Sequence, residues 1–256
     1  MQRRLPRRHC ACGDPRARSG QRVPQERRHT GRRRAGVREA RAARTCGRGD
    51  RKREPLASLR PPGDDGQARL TVEIYLARHG ETEWSLNGRH TGRTDIPMTA
   101  HGEQEAAALR PRLAGIEFAA VYSSPMARAR KTAEIAGFVT PVITPLLREF
   151  DYGDYEGITS VQIHSRNPDW DLYRDGCPGG ESPADVYRRA SEFLELAATA
   201  KGAVLAFAHG HILRAVAVAW MQLEIAAAAR LRLDVATLSL LVEGEHGHEL
   251  AMWNAP

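Results

Sequence analysis

The sequence predicts an α/β fold for residues 71–256, with a mostly parallel β-sheet that carries helices on both faces. Short apolar runs of strand length alternate there with longer amphipathic segments of helical period. Strands that are separated by helices pair in parallel and bury both faces of the sheet. Two of the apolar runs also end abruptly in histidine and glycine, as expected where a parallel sheet holds a ligand at the carboxyl ends of its strands.

Each element follows from the local pattern. Strands are predicted where apolar runs are bounded by turn residues, at 71–77, 119–122, 142–145, 202–208, 237–242 and 249–253. Helices are predicted where apolar residues recur at helical spacing, at 100–113, 126–137, 183–200 and 212–220. We expect Thr99 to cap the first helix and Gly137 to end the second. The last two strands should form a hairpin or a sheet edge, and residues 151–180 an excursion over the sheet.

Residues 1–70 differ from the rest of the chain in charge. They hold 20 Arg and 1 Lys against 7 acidic residues, whereas residues 71–256 hold 17 basic and 24 acidic residues. The segment has almost no large apolar side chains, so it cannot bury enough surface to offset chain entropy. We therefore predict a disordered, Arg-rich leader. No apolar stretch of the kind found in secretory signals follows the arginines.

The leader has two interpretations. A basic arm could bind nucleic acid through its charge. Such arms usually interleave Lys or aromatic residues, which this one lacks. We therefore favour an extension without a function of its own, and we do not expect nucleic acid as a partner.

Cysteine usage indicates a reducing compartment. Three of the four cysteines (Cys10, Cys12 and Cys46) lie in the leader, and Cys177 is alone in the domain, which leaves no disulfide framework there. No apolar run approaches the length of a membrane span. We expect a cytoplasmic protein that does not associate with membranes.

Histidine, arginine and glycine collect at strand ends. Arg78, His79 and Gly80 end the first predicted strand, and His209 and Gly210 end the fourth. If these strands are neighbours, the two histidines meet, glycine lets the backbone approach a ligand, and the following helix offers free N–H groups to an anion. Each histidine alone would be an ordinary strand-end residue, but two in matching contexts predict an anion site.

Arg128 and Glu149 follow the second and third predicted strands and are expected to join this site. Arginine presents a rigid fork of donors that suits phosphate oxygens. A carboxyl group in a phosphate pocket would be held protonated by its surroundings and could donate to a leaving oxygen. Taken alone, Glu149 is better explained as a loop carboxylate.

Four motifs in this order resemble the histidine phosphatase superfamily, which includes cofactor-dependent phosphoglycerate mutases and many phosphatases: RHGETEW, SSPMARARKTA, REFDYGDYEG and FAHGHILR. The resemblance covers about residues 72–253. It implies a three-layer α/β/α fold, in agreement with the element pattern, and a histidine phosphatase domain over residues 71–256. It implies no cofactor and no metal, and no carboxylate cluster with the spacing for Mg²⁺ is evident.

The resemblance also implies catalytic roles. His79 would be the nucleophile that becomes phosphohistidine, and His209 would complete the pocket. Arg78 and Arg128 would hold the phosphoryl oxygens. Glu149 would protonate the leaving alcohol and then activate the incoming water. Because an imidazole attacks only when neutral, we expect the other ring nitrogen of His79 to donate to a backbone carbonyl.

Substrate contacts are implied at six positions: Gly80, Ser85, Thr91, Gly92, Tyr152 and Gly210. Gly210 would offer its backbone N–H. Ser85 departs from the family pattern, in which Asn often follows the tryptophan, and its shorter side chain reaches less far toward a phosphate. Arg89, Arg174 and His211 are candidates for contacting the rest of the substrate, where a second cation would suit a bisphosphate or a carboxylate.

The short excursion between Glu149 and His209 favours the phosphatase branch, and resembles acid-phosphatase-like and sedoheptulose-bisphosphatase-like members. A mutase has to keep water from the phosphohistidine, and a shorter lid does this less well. We predict a phosphomonoesterase acting on a small phosphorylated metabolite, with mutase-type transfer within a phosphoglycerate as the alternative. A domain that only binds phosphorylated ligands is disfavoured by the complete catalytic set. Dimers are common in the family, so the resemblance is compatible with a homodimer.

Overall fold

The computed structural model describes residues 72–256, so the predicted leader and Thr71 lie outside the described residues. Within residues 72–256 the strands are β1 (Glu73–Arg78), β2 (Phe118–Ser123), β3 (Val142–Ile143), β4 (Ala203–Ala208), β5 (Leu238–Gly244) and β6 (Gly247–Ala255). The α-helices of the same residues are α1 (Glu83–Leu86), α2 (Ala100–Leu113), α3 (Ala127–Ile135), α4 (Ser160–His164), α5 (Leu172–Asp175), α6 (Pro183–Ala198) and α7 (Gly210–Trp220). Short 3-10 turns occur at Pro145–Leu147, Gly153–Tyr155 and Ile225–Arg230.

The strands of this part of the chain form one six-stranded sheet in the order β3-β2-β4-β1-β5-β6. β4 pairs in parallel with β1 and with β2, and β2 pairs in parallel with β3. β5 runs antiparallel to both β1 and β6. The mostly parallel sheet is confirmed, and the last two strands form a hairpin at its edge.

Helices cover both faces of the sheet, because successive side chains of a strand point to opposite sides. Ile74 and Leu76 of β1 belong to a core that α6 and α7 cover. Tyr75 and Ala77 belong to a second core, which α2 and α3 cover. The predicted three-layer α/β/α arrangement is therefore confirmed.

Most predicted elements differ from the observed ones by one or two residues at an end, and two of these differences lie next to the site. The third strand contains only Val142–Ile143, because Pro145 lacks an N–H and starts a 3-10 turn that Thr144 caps. The helix predicted at 212–220 begins at Gly210, directly after His209. This early start places the N-terminus of α7 at the carboxyl end of β4.

Residues 151–180 form the predicted excursion, with a 3-10 turn and the short helices α4 and α5. It is anchored by Trp170, whose indole N–H donates to the carbonyl oxygen of Gly176 at 2.8 Å. Leu172 and Cys177 are buried in the larger core beside it. No helix within residues 72–256 is long and apolar enough to span a membrane.

Candidate active site

The register of β1 and β4 brings His79 and His209 together. Arg78 pairs with Ala208 in the last rung of this parallel ladder, so the residues that follow both strands lie at the same edge of the sheet. The two imidazole rings have centroids 5.1 Å apart, and both side chains are buried. The condition for the two histidines to meet, that these strands are neighbours, is met.

His79 is neutral and keeps one ring nitrogen free. Its Nδ1 lies 2.8 Å from the carbonyl oxygen of Gly80, which only accepts, so Nδ1 carries the proton and Nε2 keeps its lone pair. Burial lowers the pKa of His79 well below 6.5, and the charges of Arg128 and Arg78 lower it further. The hydrogen bond expected from the sequence is present, and it leaves Nε2 with a free lone pair.

His209 has the opposite tautomer. The Nε–H of Arg128 donates to Nδ1 of His209 at 3.1 Å, so the imidazole proton resides on Nε2, which lies 2.7 Å from Oγ of Ser124. Burial and the charge of Arg128 lower the pKa of His209 well below 6.5. The site therefore combines a ring with a free nitrogen lone pair, that of His79, with a ring that donates a hydrogen bond, that of His209.

Arg128 has other partners than the predicted phosphoryl oxygens. Its Nη2 donates to the carbonyl oxygens of Thr91 and Gly92 at 2.9 and 3.2 Å, and its Nη1 donates to that of Thr94 at 3.0 Å. A buried guanidinium needs an acceptor for each N–H, and these carbonyls together with His209 take most of its donors. Arg128 thus holds the 91–94 loop and orients His209, and its contact with phosphoryl oxygens stays a prediction.

The guanidinium group of Arg78 retains an unpaired hydrogen-bond donor. Its Nη1 donates to the carbonyl oxygen of Leu233, whereas its buried Nε has no hydrogen-bond partner in the part of the chain that the structure describes. A Cβ atom at Gly210 would lie 3.3 Å from this guanidinium, so glycine is what lets α7 begin so close to Arg78. An unpaired buried N–H costs free energy, and an anionic oxygen would satisfy it.

Glu149 occupies the N-terminus of α7. Its Oε1 accepts the N–H groups of Phe150 and Ile212, each at 2.9 Å, and its Oε2 accepts that of His211 at 3.1 Å. Burial alone raises the pKa of Glu149, but hydrogen bonding to His211 outweighs it and holds this pKa well below 4.5.

Two expectations are thereby corrected. The carboxyl group of Glu149 is ionised rather than protonated, because the N–H groups at a helix start stabilise an anion. The N–H groups predicted to await a ligand at this helix are used by Glu149, except that of Gly210, for which the described residues show no acceptor. The predicted contact through Gly210 is compatible with this arrangement.

Tyr152 and His211 lie beside Glu149. The hydroxyl of Tyr152 donates to Nδ1 of His211 at 2.6 Å, and this nitrogen lies 3.7 Å from Oε2 of Glu149. Burial and the charge of Arg214 lower the pKa of His211 to about 4, so its ring is neutral and can accept. Burial and the charge of Glu149 raise the pKa of Tyr152 well above 10, so the phenol keeps the proton that it donates.

These groups line a cavity of about 280 Å³. Arg78, His79 and Glu149 form part of the lining, and two further arginines, Arg89 and Arg214, complete a cationic wall. Three guanidinium groups against one carboxylate favour a ligand with more than one negative charge.

Gly80 has a structural role instead of the predicted substrate contact. Its N–H donates to Oγ1 of Thr132 at 3.1 Å, and its carbonyl oxygen accepts from His79. A Cβ atom here would lie 2.2 Å from the carbonyl oxygen of Gly102 in α2. Gly80 therefore positions His79 by packing the end of β1 against α2.

The other predicted contact residues divide into two groups. Ser85, Thr91 and Tyr152 line the cavity, although the hydroxyl of Ser85 donates to the carbonyl oxygen of Thr82 at 2.9 Å. The N–H of Gly92 lies 3.0 Å from the Glu156 carboxylate, so this donor is not free for a substrate.

Of the three candidates for the rest of the substrate, Arg89 and His211 line the cavity. Arg174 lies outside it and pairs with Asp175 at 2.7 Å. No group of three or more His, Cys, Asp or Glu side chains in residues 72–256 could hold a metal ion.

Comparison with known proteins identifies the family. The model of the histidine phosphatase superfamily (branch 1) matches residues 74–256. The chain belongs to this superfamily. The predicted family and enzyme class are confirmed: the protein is a histidine-type phosphatase.

Similar members of the superfamily include two named phosphatases. An acid phosphatase of Mycobacterium tuberculosis is 40% identical over 178 residues, which cover 68% of this chain and 87% of that protein. The sedoheptulose 1,7-bisphosphatase of Saccharomyces cerevisiae is 32% identical over 189 residues, with 61% and 70% coverage. The solved structure of an open reading frame from Mycobacterium tuberculosis is 37% identical with a TM-score of 0.70, covering 72% of this chain and 97% of that one.

Two residues of the histidine phosphatase site were missed by the sequence analysis. Oγ of Ser124 accepts the hydrogen bond from Nε2 of His209, and Arg214 lines the cavity. Arg214 lies one helical turn after Gly210, to whose carbonyl oxygen its Nε donates at 3.1 Å. Helical spacing counted from Gly210 would have placed this arginine beside the site.

Proposed function

We propose that this phosphatase hydrolyses small phosphomonoesters in two steps through a phosphohistidine at His79. The observation that carries the proposal is the tautomer of His79, whose Nδ1–H is held by Gly80 while Nε2 keeps its lone pair. A covalent step divides one difficult displacement into two easier ones.

In the first step, Nε2 of His79 attacks the phosphorus and the bond to the leaving oxygen breaks. The unpaired Nε–H of Arg78 and the charge of Arg128 stabilise the charge on the phosphoryl oxygens. Glu149 gives its proton to the leaving oxygen, so that an alcohol departs.

Glu149 has to gain that proton first, because its carboxylate is ionised in the arrangement described above. A phosphoryl group that binds beside it places negative charges next to the carboxylate and raises its pKa. The proton is therefore taken up together with the substrate.

In the second step, the Glu149 carboxylate takes a proton from water while the water oxygen attacks the phosphorus. The nitrogen–phosphorus bond breaks, inorganic phosphate leaves and His79 returns to its starting form. Glu149 ends this step protonated and releases that proton to solvent as phosphate leaves, which restores its ionised form, so no other reactant is consumed.

The cavity supports a small substrate that carries a second anionic group. Its volume of about 280 Å³ suits a metabolite rather than a macromolecule. Arg89 and Arg214 line it in addition to Arg78, and arginines recognise phosphate and carboxylate groups. A bisphosphate or a phosphorylated carboxylic acid fits this lining, and the name of the yeast relative is compatible with the first.

The test is release of inorganic phosphate from p-nitrophenyl phosphate, 3-phosphoglycerate and sedoheptulose 1,7-bisphosphate. We expect release by the wild type, loss in His79→Ala, and an acid-labile phosphoryl group on His79 after rapid quenching. Release that persists in His79→Ala would overturn the mechanism. Conversion of 3-phosphoglycerate into its isomer without phosphate release would favour the mutase alternative.

A further inference from the structure

The backbone that carries Glu149 is held by an ion pair on the opposite side from the cavity. Arg189 of α6 binds the Glu181 carboxylate through Nε at 2.9 Å and Nη2 at 2.8 Å. We call Arg189 and Glu181 the clamp. Its two side chains are 13% and 24% exposed, so water weakens this pair less than it would an exposed one.

The remaining donors of Arg189 bind the main chain around Glu149. Nη1 donates to the carbonyl oxygens of Leu146 and Arg148 at 2.8 and 2.7 Å, and Nη2 contacts that of Glu149 at 3.4 Å. All five N–H groups of the guanidinium are therefore used. Three of its five acceptors are main-chain carbonyl oxygens of Glu149 or of residues up to three positions before it, and the other two are the carboxylate oxygens of Glu181.

Glu181 holds the other side of the same segment. Its Oε2 accepts the N–H of Asp151 at 2.9 Å, and its own N–H donates to the carbonyl oxygen of Asp151 at 3.0 Å. The clamp thus fixes the main chain on both sides of Glu149, while α7 fixes its carboxylate.

Packing fixes Leu147 and Phe150 on either side of this position, since both are fully buried in the larger core. Glu149 itself lines the catalytic cavity and also a second cavity of about 740 Å³ that Arg189 and Glu181 border. A residue between two cavities has fewer packing neighbours, so the hydrogen bonds of the clamp help to fix its position.

We infer that Arg189 and Glu181 are positioning residues that keep Glu149 in reach of the leaving oxygen. This inference rests on the proposed role of Glu149 as the proton donor. A displacement of about 1 Å in a catalytic group can cost about 10²-fold in rate. Loosening the clamp should therefore impair proton donation more than phosphate binding.

The test uses leaving groups that differ in their need for a proton. p-Nitrophenolate departs as a stable anion, whereas the alkoxide of glycerol 2-phosphate has to be protonated. We expect Glu149→Gln to lower kcat/KM for glycerol 2-phosphate by about 10²–10⁴-fold, with a much smaller loss for p-nitrophenyl phosphate.

The variants Arg189→Lys and Glu181→Gln should change the ratio of the two kcat/KM values in the same direction, by about tenfold or more. Inhibition by inorganic phosphate should stay near the wild-type level. The ratio is measured within one preparation, so partial unfolding cancels from it. The matched control is Arg188→Lys, on the adjacent residue, whose side chain is 63% exposed and pairs with Glu192; its ratio should equal that of the wild type.

The other possible outcomes distinguish a failure of this inference from a failure of the proposed function. If Glu149→Gln changes the ratio and the two clamp variants do not, the inference is overturned and the proposed function stands. If Glu149→Gln leaves the ratio unchanged, the role of Glu149 fails and the inference fails with it, while His79→Ala still tests the phosphohistidine. An equal change in Arg188→Lys would show a general effect of α6 and would also overturn the inference.

Discussion

At the base of the site, two side chains are held in defined protonation states, of which only that of His79 is the one that the proposed first step needs. His79 is neutral because burial and two guanidinium charges lower its pKa well below 6.5. Glu149 is ionised because the start of α7 stabilises its carboxylate. In the proposed mechanism His79 is thus ready to attack in the free enzyme, while Glu149 has to take up a proton with every substrate.

The rate should therefore depend on pH in a defined direction. Because the pKa of Glu149 lies well below 4.5, kcat/KM for glycerol 2-phosphate should rise as the pH falls from about 8 to about 5. His79 does not oppose this trend until the pH approaches its own lowered pKa.

The measurement is a kcat/KM profile over that range, with p-nitrophenyl phosphate in parallel to correct for ionisation of the phosphate. In Glu149→Gln the additional rise seen with glycerol 2-phosphate should disappear. A rate that increases toward alkaline pH would contradict the assignment of Glu149 as the proton donor.

Arg214 offers a second test at the residue scale. It lines the cavity, and its guanidinium lies 5.9 Å from the centre of the Tyr173 ring, which limits its orientations. We expect Arg214→Met to raise KM for a bisphosphate about 10- to 100-fold, as for one lost charged hydrogen bond. The KM for p-nitrophenyl phosphate should change little.

The matched control for Arg214 is Arg174→Met, since this arginine pairs with Asp175 at the surface outside the cavity. Its KM values should equal those of the wild type for both substrates. If Arg214→Met raises the two KM values by the same factor, the residue acts on the transferred phosphate and the proposed second anionic group has no support.

At the scale of elements, the sequence predicted which strand ends meet but not what occupies the helix start between them. His79 and His209 each follow a buried apolar run, so the pattern of a parallel sheet was enough to place them together. The contact of Glu149 with Ile212 joins residues 63 positions apart. It depends on how the segment after the 3-10 turn reaches the start of α7, which local periodicity does not encode.

The partners of Arg128 were unpredictable for a similar reason. The residue type suggested a phosphate ligand, yet the acceptors are backbone carbonyls of the 91–94 loop. Every residue has a backbone carbonyl, so the side chains of that loop do not indicate the contact with Arg128.

The junction between β1 and α2 provides a prediction at this scale. In Gly80→Ala the new Cβ atom would lie 2.2 Å from the carbonyl oxygen of Gly102, so the helix has to move. We expect a loss of stability of about 1–3 kcal/mol and a lower kcat per folded molecule, because the Gly80 carbonyl that fixes the His79 tautomer moves as well.

Thermal unfolding and active-site titration would measure the two effects separately. Gly115→Ala is the control: it has a positive φ of 79° but nothing within 4 Å of the added Cβ, so it should lose stability through backbone strain and keep its kcat. Wild-type kcat in Gly80→Ala would show that the junction does not position His79.

At the scale of the whole molecule, charge separates the two parts of the chain. Residues 1–70 hold 20 Arg, whereas acidic residues outnumber basic ones in residues 71–256. The family match begins at residue 74. The match to the solved structure from Mycobacterium tuberculosis covers 72% of this chain and 97% of that one. A protein of about the size of the catalytic part therefore folds without a basic segment of this length.

A chain restricted to residues 72–256 should accordingly keep the kcat/KM of the full chain within about twofold, because the catalytic contacts identified above join residues of that part.

Polyanion binding, if it occurs, should need the basic segment. It should therefore be a property of the full chain only, and it should weaken steeply with salt. Phosphate release from both chains, beside retention on immobilised duplex DNA at two salt concentrations, would measure this. Salt-sensitive retention of the full chain alone would give residues 1–71 the nucleic-acid role that we disfavour. Loss of phosphatase activity on truncation would show instead that the basic segment contributes to the catalytic part.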